Sequence, residues 1–149
     1  IGEILTPLSP MPKCYVLIAK PAISVSTKMV YEKLDSHEIE DHPDIDGIVT
    51  ALADGDLYGV TDRMANVLET VTVPEHPVID EIKKQMMASG AVNALMSGSG
   101  PTVFGIFDDE EKAKNACEDM KASGLARQIY LTRPFNQKIK DTRKNKRKR

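Results

Sequence analysis

The chain of 149 residues is long enough for one compact domain, and its 41% apolar and 28% charged residues are typical of a globular protein. It contains no apolar run of about 18 residues, so the sequence predicts no membrane-spanning helix. The net charge of −2 hides an asymmetry, because residues 136–149 carry eight basic side chains and one acidic one, whereas the rest of the chain carries 12 basic and 21 acidic ones. This acidic body argues against a dedicated nucleic-acid-binding protein.

The basic segment contains a single apolar side chain, Ile139, and cannot bury enough surface to become ordered. We therefore predict a folded domain over residues 1–135 and a basic, disordered tail over residues 136–149. A second interpretation, in which the tail contacts RNA phosphates, stays open at this stage. The two cysteines, Cys14 and Cys117, match no metal-binding spacing and no secretory signal is visible, which together indicate buried thiols in a cytoplasmic protein.

Hydrophobic periodicity and capping residues predict the elements of the first half of the chain. A buried strand is expected over residues 14–19 and a helix over residues 27–34. After Pro43 a second helix is expected, with one apolar face formed by Ile45, Ile48, Val49 and Leu52. A further segment, capped by Thr61 or Asp62, is expected to run to Glu69.

In the second half, a helix is expected to open at Pro74 or Pro77 and to end at Ser89-Gly90. Two strands over residues 91–96 and 102–107 follow, then a helix after the carboxylates of residues 108–111 that ends at Ser123-Gly124, and a last strand over residues 127–131. This order of elements predicts an α+β domain with a mainly antiparallel sheet and helices packed on one face.

The most specific motif is a glycine- and serine-rich turn between two predicted strands, Ser97-Gly98-Ser99-Gly100-Pro101-Thr102. Glycines permit positive φ, and successive N–H groups in such a turn can hold an anion, so a phosphate is the expected guest. A plain hairpin turn is the second interpretation. The turn is not a Walker A motif, because no Lys-Ser/Thr pair follows the second glycine, and it is not a dinucleotide-binding fingerprint, because a strand follows it.

Together with Val103-Phe104, this turn resembles the third conserved motif of the GHMP kinase superfamily, in the form found in diphosphocytidyl-methylerythritol kinases. Two more stretches are similar to that group: residues 2–8, and Lys20-Pro21 followed by residues 24–27 and Tyr31. The resemblance runs from residue 1 to about residue 135. It implies the ferredoxin-like C-terminal domain of these kinases.

The resemblance also implies roles for individual residues. In these kinases the third motif lies beside the nucleotide phosphates, which implies a role in supporting the ATP-binding loop for Ser97, Gly98, Ser99, Gly100, Pro101 and Thr102. An aromatic residue stacks on the cytosine of the substrate, and the matching residues for substrate binding are Tyr31 and Thr27, one helical turn apart. Taken without the resemblance, Tyr31 is more simply interpreted as a core aromatic. No metal ligand is implied among these residues.

Other parts of the family pattern have no counterpart in this sequence. The long ATP-binding loop, the catalytic aspartate and a nearby lysine belong to the N-terminal domain of these kinases, and the chain opens at Ile1 with a segment that resembles the one just after that aspartate. We therefore expect a C-terminal domain that has no catalytic residue and is inactive alone. The complete enzyme is expected to use ATP and Mg²⁺ to phosphorylate a cytidine diphosphate substrate, 4-diphosphocytidyl-2-C-methyl-D-erythritol, in non-mevalonate isoprenoid synthesis.

Two alternatives to this expectation stay open. One is a sister kinase that acts on homoserine or on a mevalonate derivative. The other is a non-catalytic α+β module that binds a small ligand, or that binds RNA through the basic tail.

Overall fold

The computed structural model describes residues 8–35 and 44–134. Within these ranges ten elements follow one another: β1 (Tyr15–Lys20), α1 (Thr27–Asp35), α2 (Ile45–Ala53), α3 (Leu57–Thr61), α4 (Glu69–Glu75), α5 (Pro77–Ala88), β2 (Asn93–Met96), β3 (Val103–Phe107), α6 (Glu110–Ser123) and β4 (Gln128–Thr132). The strands form one sheet in the order β2-β3-β1-β4, and every neighbouring pair is antiparallel. The predicted α+β class with an antiparallel sheet is confirmed.

The main core lies between one face of the sheet and the helices α5 and α6. Alternate residues of β1 point into it, so that Leu17 and Ala19 are fully buried. The two helices pack against these strand residues with apolar stripes at helical spacing. The stripes are formed by Ile79, Ile82 and Met86 from α5, and by Ala113, Ala116, Cys117 and Met120 from α6. Each large side chain buried in this way stabilises the fold by about 1.5–3 kcal/mol.

The opposite face of the sheet carries a smaller apolar cluster. It consists of Cys14, Leu57 and Ile106, with Val16 and Phe104 packed against them. Because Leu57 belongs to α3, a short helix reaches this second face, whereas the two long helices α5 and α6 lie on the first. Cys14 and Cys117 are both free and buried, and burial raises the pKa of the Cys14 thiol.

One predicted feature of the middle of the chain is wrong. The segment expected from Thr61 or Asp62 to Glu69 is not an element, since Thr61 ends α3 and Glu69 begins α4. The helix expected after Pro43 is present as α2, but it packs chiefly against α3 rather than against the sheet, so part of its apolar face is exposed. Ile45 is 60% exposed, Val49 is 39% exposed, and only Ala51 of this helix is buried.

Smaller differences concern where helices begin and end. Pro77 occupies the first turn of α5, whereas Pro74 lies inside α4. The predicted end of α6 is confirmed, because Gly124 caps it in the left-handed conformation. No helix within residues 8–35 and 44–134 combines the length and the apolar character that a bilayer span requires. Residues 2–7 of the opening motif, Pro43 and the predicted tail over residues 136–149 fall outside the described residues.

Candidate functional site

The glycine-rich turn joins β2 to β3 immediately after their last paired residues, Met96 and Val103. Two backbone hydrogen bonds close it: Ser97 N–H donates to the Thr102 carbonyl at 2.7 Å, and Gly100 N–H donates to the Ser97 carbonyl at 3.0 Å. Gly98 and Gly100 have φ values of 56° and 89°, in the region that glycine adopts most readily. The turn therefore has a defined conformation that its glycines permit.

The turn lies at the protein surface, and its proline packs against the core. Ser97 and Gly98 are exposed, Ser99 and Gly100 are half-buried, and Pro101 is buried. The Gly100–Pro101 peptide bond is cis. A ligand can therefore reach the first half of the turn, while its second half is fixed against the core.

The carbonyl groups of the turn are occupied by side chains that precede or belong to α4. The Asn66 side-chain amide donates to the Met96 carbonyl at 2.7 Å and to the Gly98 carbonyl at 2.8 Å. The buried Thr72 hydroxyl donates to the Ser99 carbonyl at 2.9 Å. These carbonyl oxygens therefore already accept hydrogen bonds from residues in or just before α4.

The N–H groups of Gly98 and Ser99 are in the opposite situation, because neither donates to an acceptor among the described residues. Free backbone donors next to satisfied carbonyls give the turn a local excess of positive partial charge. Such a group of donors favours an anion, and the hydroxyls of Ser97, Ser99 and Thr102 stand in the same segment as further donors. The chemistry of the turn therefore fits phosphate oxygens.

Glu69 completes the support of the turn. One of its carboxylate oxygens accepts from Met96 N–H at 2.9 Å, and the other is paired with Lys83. The Glu69 and Lys83 side chains are only 17% and 23% exposed, so this pair is shielded from solvent screening more than a surface pair would be. Sequence reasoning missed these contacts, although Asn66, Glu69 and Thr72 are polar at a spacing of three in a stretch that is apolar apart from Thr70.

The structure brings one of the two predicted substrate-binding residues to the turn. The hydroxyls of Thr27 and Ser99 lie 2.9 Å apart, a hydrogen bond in which either can donate. Thr27 is the first residue of α1, whose start is stabilised by Met29 N–H donating to the Ser26 hydroxyl.

Tyr31 lies one turn further along α1, and 50% of its surface is exposed. The simpler interpretation of Tyr31 as a core aromatic is therefore wrong. Its ring is available at the surface on the helix that carries Thr27.

A protein family matches the chain from its first third onwards. Residues 48–125 match the sequence model of a family described as GHMP kinases C terminal. The chain belongs to this family. The range includes all six residues of the turn, whereas Thr27 and Tyr31 precede it, and the roles of all eight stay predictions.

Among the relatives of this GHMP kinase C-terminal chain are two bacterial proteins named 4-diphosphocytidyl-2-C-methyl-D-erythritol kinase. The one from Lachnospira eligens is 56% identical over 135 residues, and the one from Lachnoclostridium phytofermentans is 51% identical over 138 residues. These alignments cover 91% and 93% of this chain but 47% of each relative. The chain thus spans about half the length of the curated relatives it matches.

Solved structures agree with this membership. A crystal structure of 4-(cytidine 5'-diphospho)-2C-methyl-D-erythritol kinase superposes with a TM-score of 0.72 at 27% identity, covering 91% of this chain and 48% of that one. A homoserine kinase from Cytophaga hutchinsonii superposes with a TM-score of 0.65 at 20% identity, and the superposition covers 85% of this chain and 44% of that one. At this identity the similarity concerns the fold alone. The predicted resemblance to the GHMP kinases is confirmed.

Proposed function

We propose that this chain is the C-terminal part of an ATP-dependent kinase that phosphorylates 4-diphosphocytidyl-2-C-methyl-D-erythritol. The observation that carries the proposal is the identity of more than one half to two proteins of that name, over nine-tenths of this chain. Homoserine kinase shares the fold at 20% identity, so nothing favours that sister activity to the same degree.

In this proposal the glycine-rich turn supports the phosphates of ATP, which supplies the phosphoryl group. Phosphoryl transfer depends mainly on positioning and on neutralising charge at the phosphate oxygens. The free N–H groups of Gly98 and Ser99 would donate to those oxygens, and Asn66 and Thr72 would keep the turn's carbonyl oxygens directed away from them. Such fixed donors need no reorganisation when charge develops.

The same residues do not fit a metal ion. Mg²⁺ prefers carboxylate oxygens, and residues 8–35 and 44–134 contain no group of three or more His, Cys, Asp or Glu side chains suited to hold a metal. We therefore assign no Mg²⁺ ligand to this part of the chain. The catalytic base is likewise assigned to the half that the longer relatives possess in addition.

The substrate would lie between the turn and α1. Tyr31 would stack on the cytosine ring, since a flat base pairs well with a rigid exposed aromatic side chain. Thr27 would contact the substrate while bonded to Ser99, so that one hydrogen bond joins the substrate-binding helix to the phosphate-binding turn.

The test is carried out in the complete enzyme, with this chain joined to its N-terminal half. Tyr31→Ala should raise the KM for the cytidine substrate by roughly tenfold, because stacking on one base is worth about 1–3 kcal/mol. The KM for ATP should stay nearly unchanged. Tyr31→Phe, which keeps the ring, is the matched control and should restore substrate affinity.

Equal effects of Tyr31→Ala on both substrates would show a structural tyrosine and remove the stacking assignment. A complete enzyme that phosphorylates homoserine or mevalonate, and not the cytidine compound, would overturn the proposed substrate.

A further inference from the structure

A polar cleft lies at the same end of the sheet as the glycine-rich turn. It has a volume of about 250 Å³ and lies where β1 ends and β4 begins; its walls are Lys20, Pro21, Ala22, Ile23, Ser24, Arg127 and Gln128. Ala19 pairs with Val103, the first residue after the turn, so the cleft and the turn open from one edge of the fold. The proposed function gives the cleft no role.

Two basic residues line the cleft, and neither has an ion-pair partner among the residues that the structure describes. Within the described ranges most lysines and arginines are ion-paired, namely Lys28, Lys33, Arg63, Lys83, Lys84, Lys114, Lys121 and Arg133. The cations of those ranges without such a pair are Lys13, Lys20, Lys112 and Arg127. Two of these four line one cleft in a chain whose body is acidic.

The backbone holds Lys20 and Arg127 side by side. Arg127 N–H donates to the Lys20 carbonyl at 2.8 Å, and Lys20 pairs with Gln128 in the β1–β4 ladder. One side of the cleft is therefore built on the paired ends of β1 and β4, and the segment that follows β1 forms the rest. The Ser24 hydroxyl and the Gln128 amide line the same cleft and add neutral donors to the two charged ones.

We propose that this cleft binds the phosphate or diphosphate group of a small-molecule ligand. Two positive charges match the charge of about −2 on a phosphate monoester, whereas a carboxylate would neutralise only one of them. The planar Arg127 guanidinium can bind two phosphate oxygens at once, and Lys20 supplies a point charge. A volume of about 250 Å³ is below the roughly 300–1,000 Å³ of pockets that enclose a whole drug-sized ligand, so the cleft fits one group of a larger molecule.

The probe is inorganic pyrophosphate, added to the 149-residue chain at constant ionic strength and followed by ¹H–¹⁵N NMR. The amides of Lys20, Ala22, Ile23, Ser24 and Gln128 should shift in a saturable manner. Combined Lys20→Ala and Arg127→Ala substitution should weaken binding at the cleft by roughly tenfold or more. The matched control, Lys13→Ala with Lys112→Ala, removes the same charge from the other two unpaired lysines and should leave the affinity nearly unchanged.

Three results would overturn the proposal: no saturable shift at the cleft, an equal loss of affinity in the control, or equally tight binding of acetate. Amide shifts at Gly98 and Ser99 are scored separately, because they report on the turn and so on the proposed function. A cytidine diphosphate titration then identifies the source of the group. Joint shifts at the cleft and around Tyr31 would assign the cleft to the substrate, and cleft shifts with pyrophosphate alone would assign it to a separate phosphorylated ligand.

Discussion

Asn66 uses every polar atom of its side chain. The two N–H groups donate to the carbonyls of Met96 and Gly98, while the side-chain oxygen accepts from Leu68 N–H at 3.1 Å. The residue thereby joins the segment before α4 to the end of β2 and to the middle of the turn. Few substitutions can reproduce two donors and one acceptor in that geometry.

Asn66→Ala should lower the free energy of unfolding by about 1–3 kcal/mol, because it leaves the carbonyl of the buried residue Met96 without a donor. Asn66→Asp keeps the bond from Leu68 but cannot donate when ionised, so it should destabilise at least as much at neutral pH. Urea unfolding of the chain measures both. Asn115→Ala, at an exposed position on α6, is the control and should have little effect. Equal stability of Asn66→Ala and the control would contradict this role.

The two glycines of the turn should differ in their tolerance of a side chain. A Cβ at Gly98 would meet no atom within 4 Å, so Gly98→Ala should cost only the left-handed backbone penalty of about 1–2 kcal/mol. A Cβ at Gly100 would lie 2.8 Å from the sulfur of buried Met96 and 3.3 Å from the Thr72 methyl. Gly100→Ala should therefore lower the Tm more than Gly98→Ala.

Gly124→Ala is the control for backbone strain alone, because it has a φ of 73° and open space around the added methyl. Its effect should match that of Gly98→Ala. If Gly100→Ala were as stable as the other two variants, the Met96 and Thr72 side chains would be able to move aside without loss of stability.

At the scale of elements, the predictable parts of the fold are those whose local signals agree with one another. α5 and α6 have apolar stripes of helical period together with Pro77 at one start and Gly124 at one end, and both were predicted with nearly correct bounds. The strands on either side of the glycine-rich turn alternate or run apolar, and the sheet was likewise predicted. These predictions succeeded because the apolar periodicity and the capping residues indicate the same elements.

α4 shows why the remainder could not be predicted. Its sequence contains Val71, Thr72 and Val73, which are β-branched, and Pro74, so local propensity disfavours a helix. Glu69 and Thr72 nonetheless bond to β2 and the turn, about 27 positions away in sequence. A local sequence pattern does not contain contacts between residues so far apart. For the same reason the hydrogen bonds from Glu69 and Thr72 that support the turn were not predicted.

The start of α2 provides a test by pH. The hydrogen bond from Gly47 N–H and the Arg63 guanidinium hold the pKa of the Asp44 carboxyl below its ordinary value. A carboxyl whose pKa is lower in the folded chain stabilises the fold above its unfolded pKa of about 3.9, and that contribution is lost as the pH falls through the folded pKa. Asp44→Asn should therefore be less stable than the parent chain near neutrality.

The gap in stability between these two proteins should close as the pH falls below about 4. Urea midpoints across an acidic pH series measure it. The control is Asp119→Asn at an exposed position on α6, which should follow the parent chain throughout. A gap for Asp44→Asn that stays constant over the series would refute the role of its charge.

At the scale of the whole molecule, the predicted and structural features converge on one end of the sheet. The turn, the start of α1 and the cationic cleft all lie there, where β2 and β1 end and β3 and β4 begin. The turn was predicted from the chemistry of its glycines and serines, whereas Thr27 was predicted through the resemblance to the GHMP kinases. The joining of Lys20 to Arg127 was not, because it depends on strand pairing between residues more than a hundred positions apart.

The chain by itself should show no ATP-dependent phosphorylation of the cytidine substrate. It spans about half the length of its relatives, and a donor-rich turn can hold phosphate but cannot accept the proton of a hydroxyl. Transfer of labelled phosphate from ATP measures this outcome, with the joined, full-length enzyme as the positive control. Turnover by the purified chain alone would refute this prediction.

In the hydrogen bond between Thr27 and Ser99 one hydroxyl donates and the other accepts. Which of them donates determines what a ligand must offer to Thr27. When the Ser99 hydroxyl gives its proton to an anion, it can only receive one from Thr27. The Thr27 oxygen is then left with lone pairs alone, and the next molecule to touch it must bring an N–H or O–H of its own. An exocyclic amino group, such as that of cytosine, meets this requirement, whereas a carbonyl does not. An anion bound at the turn would thus make Thr27 select ligands that present a hydrogen-bond donor to α1.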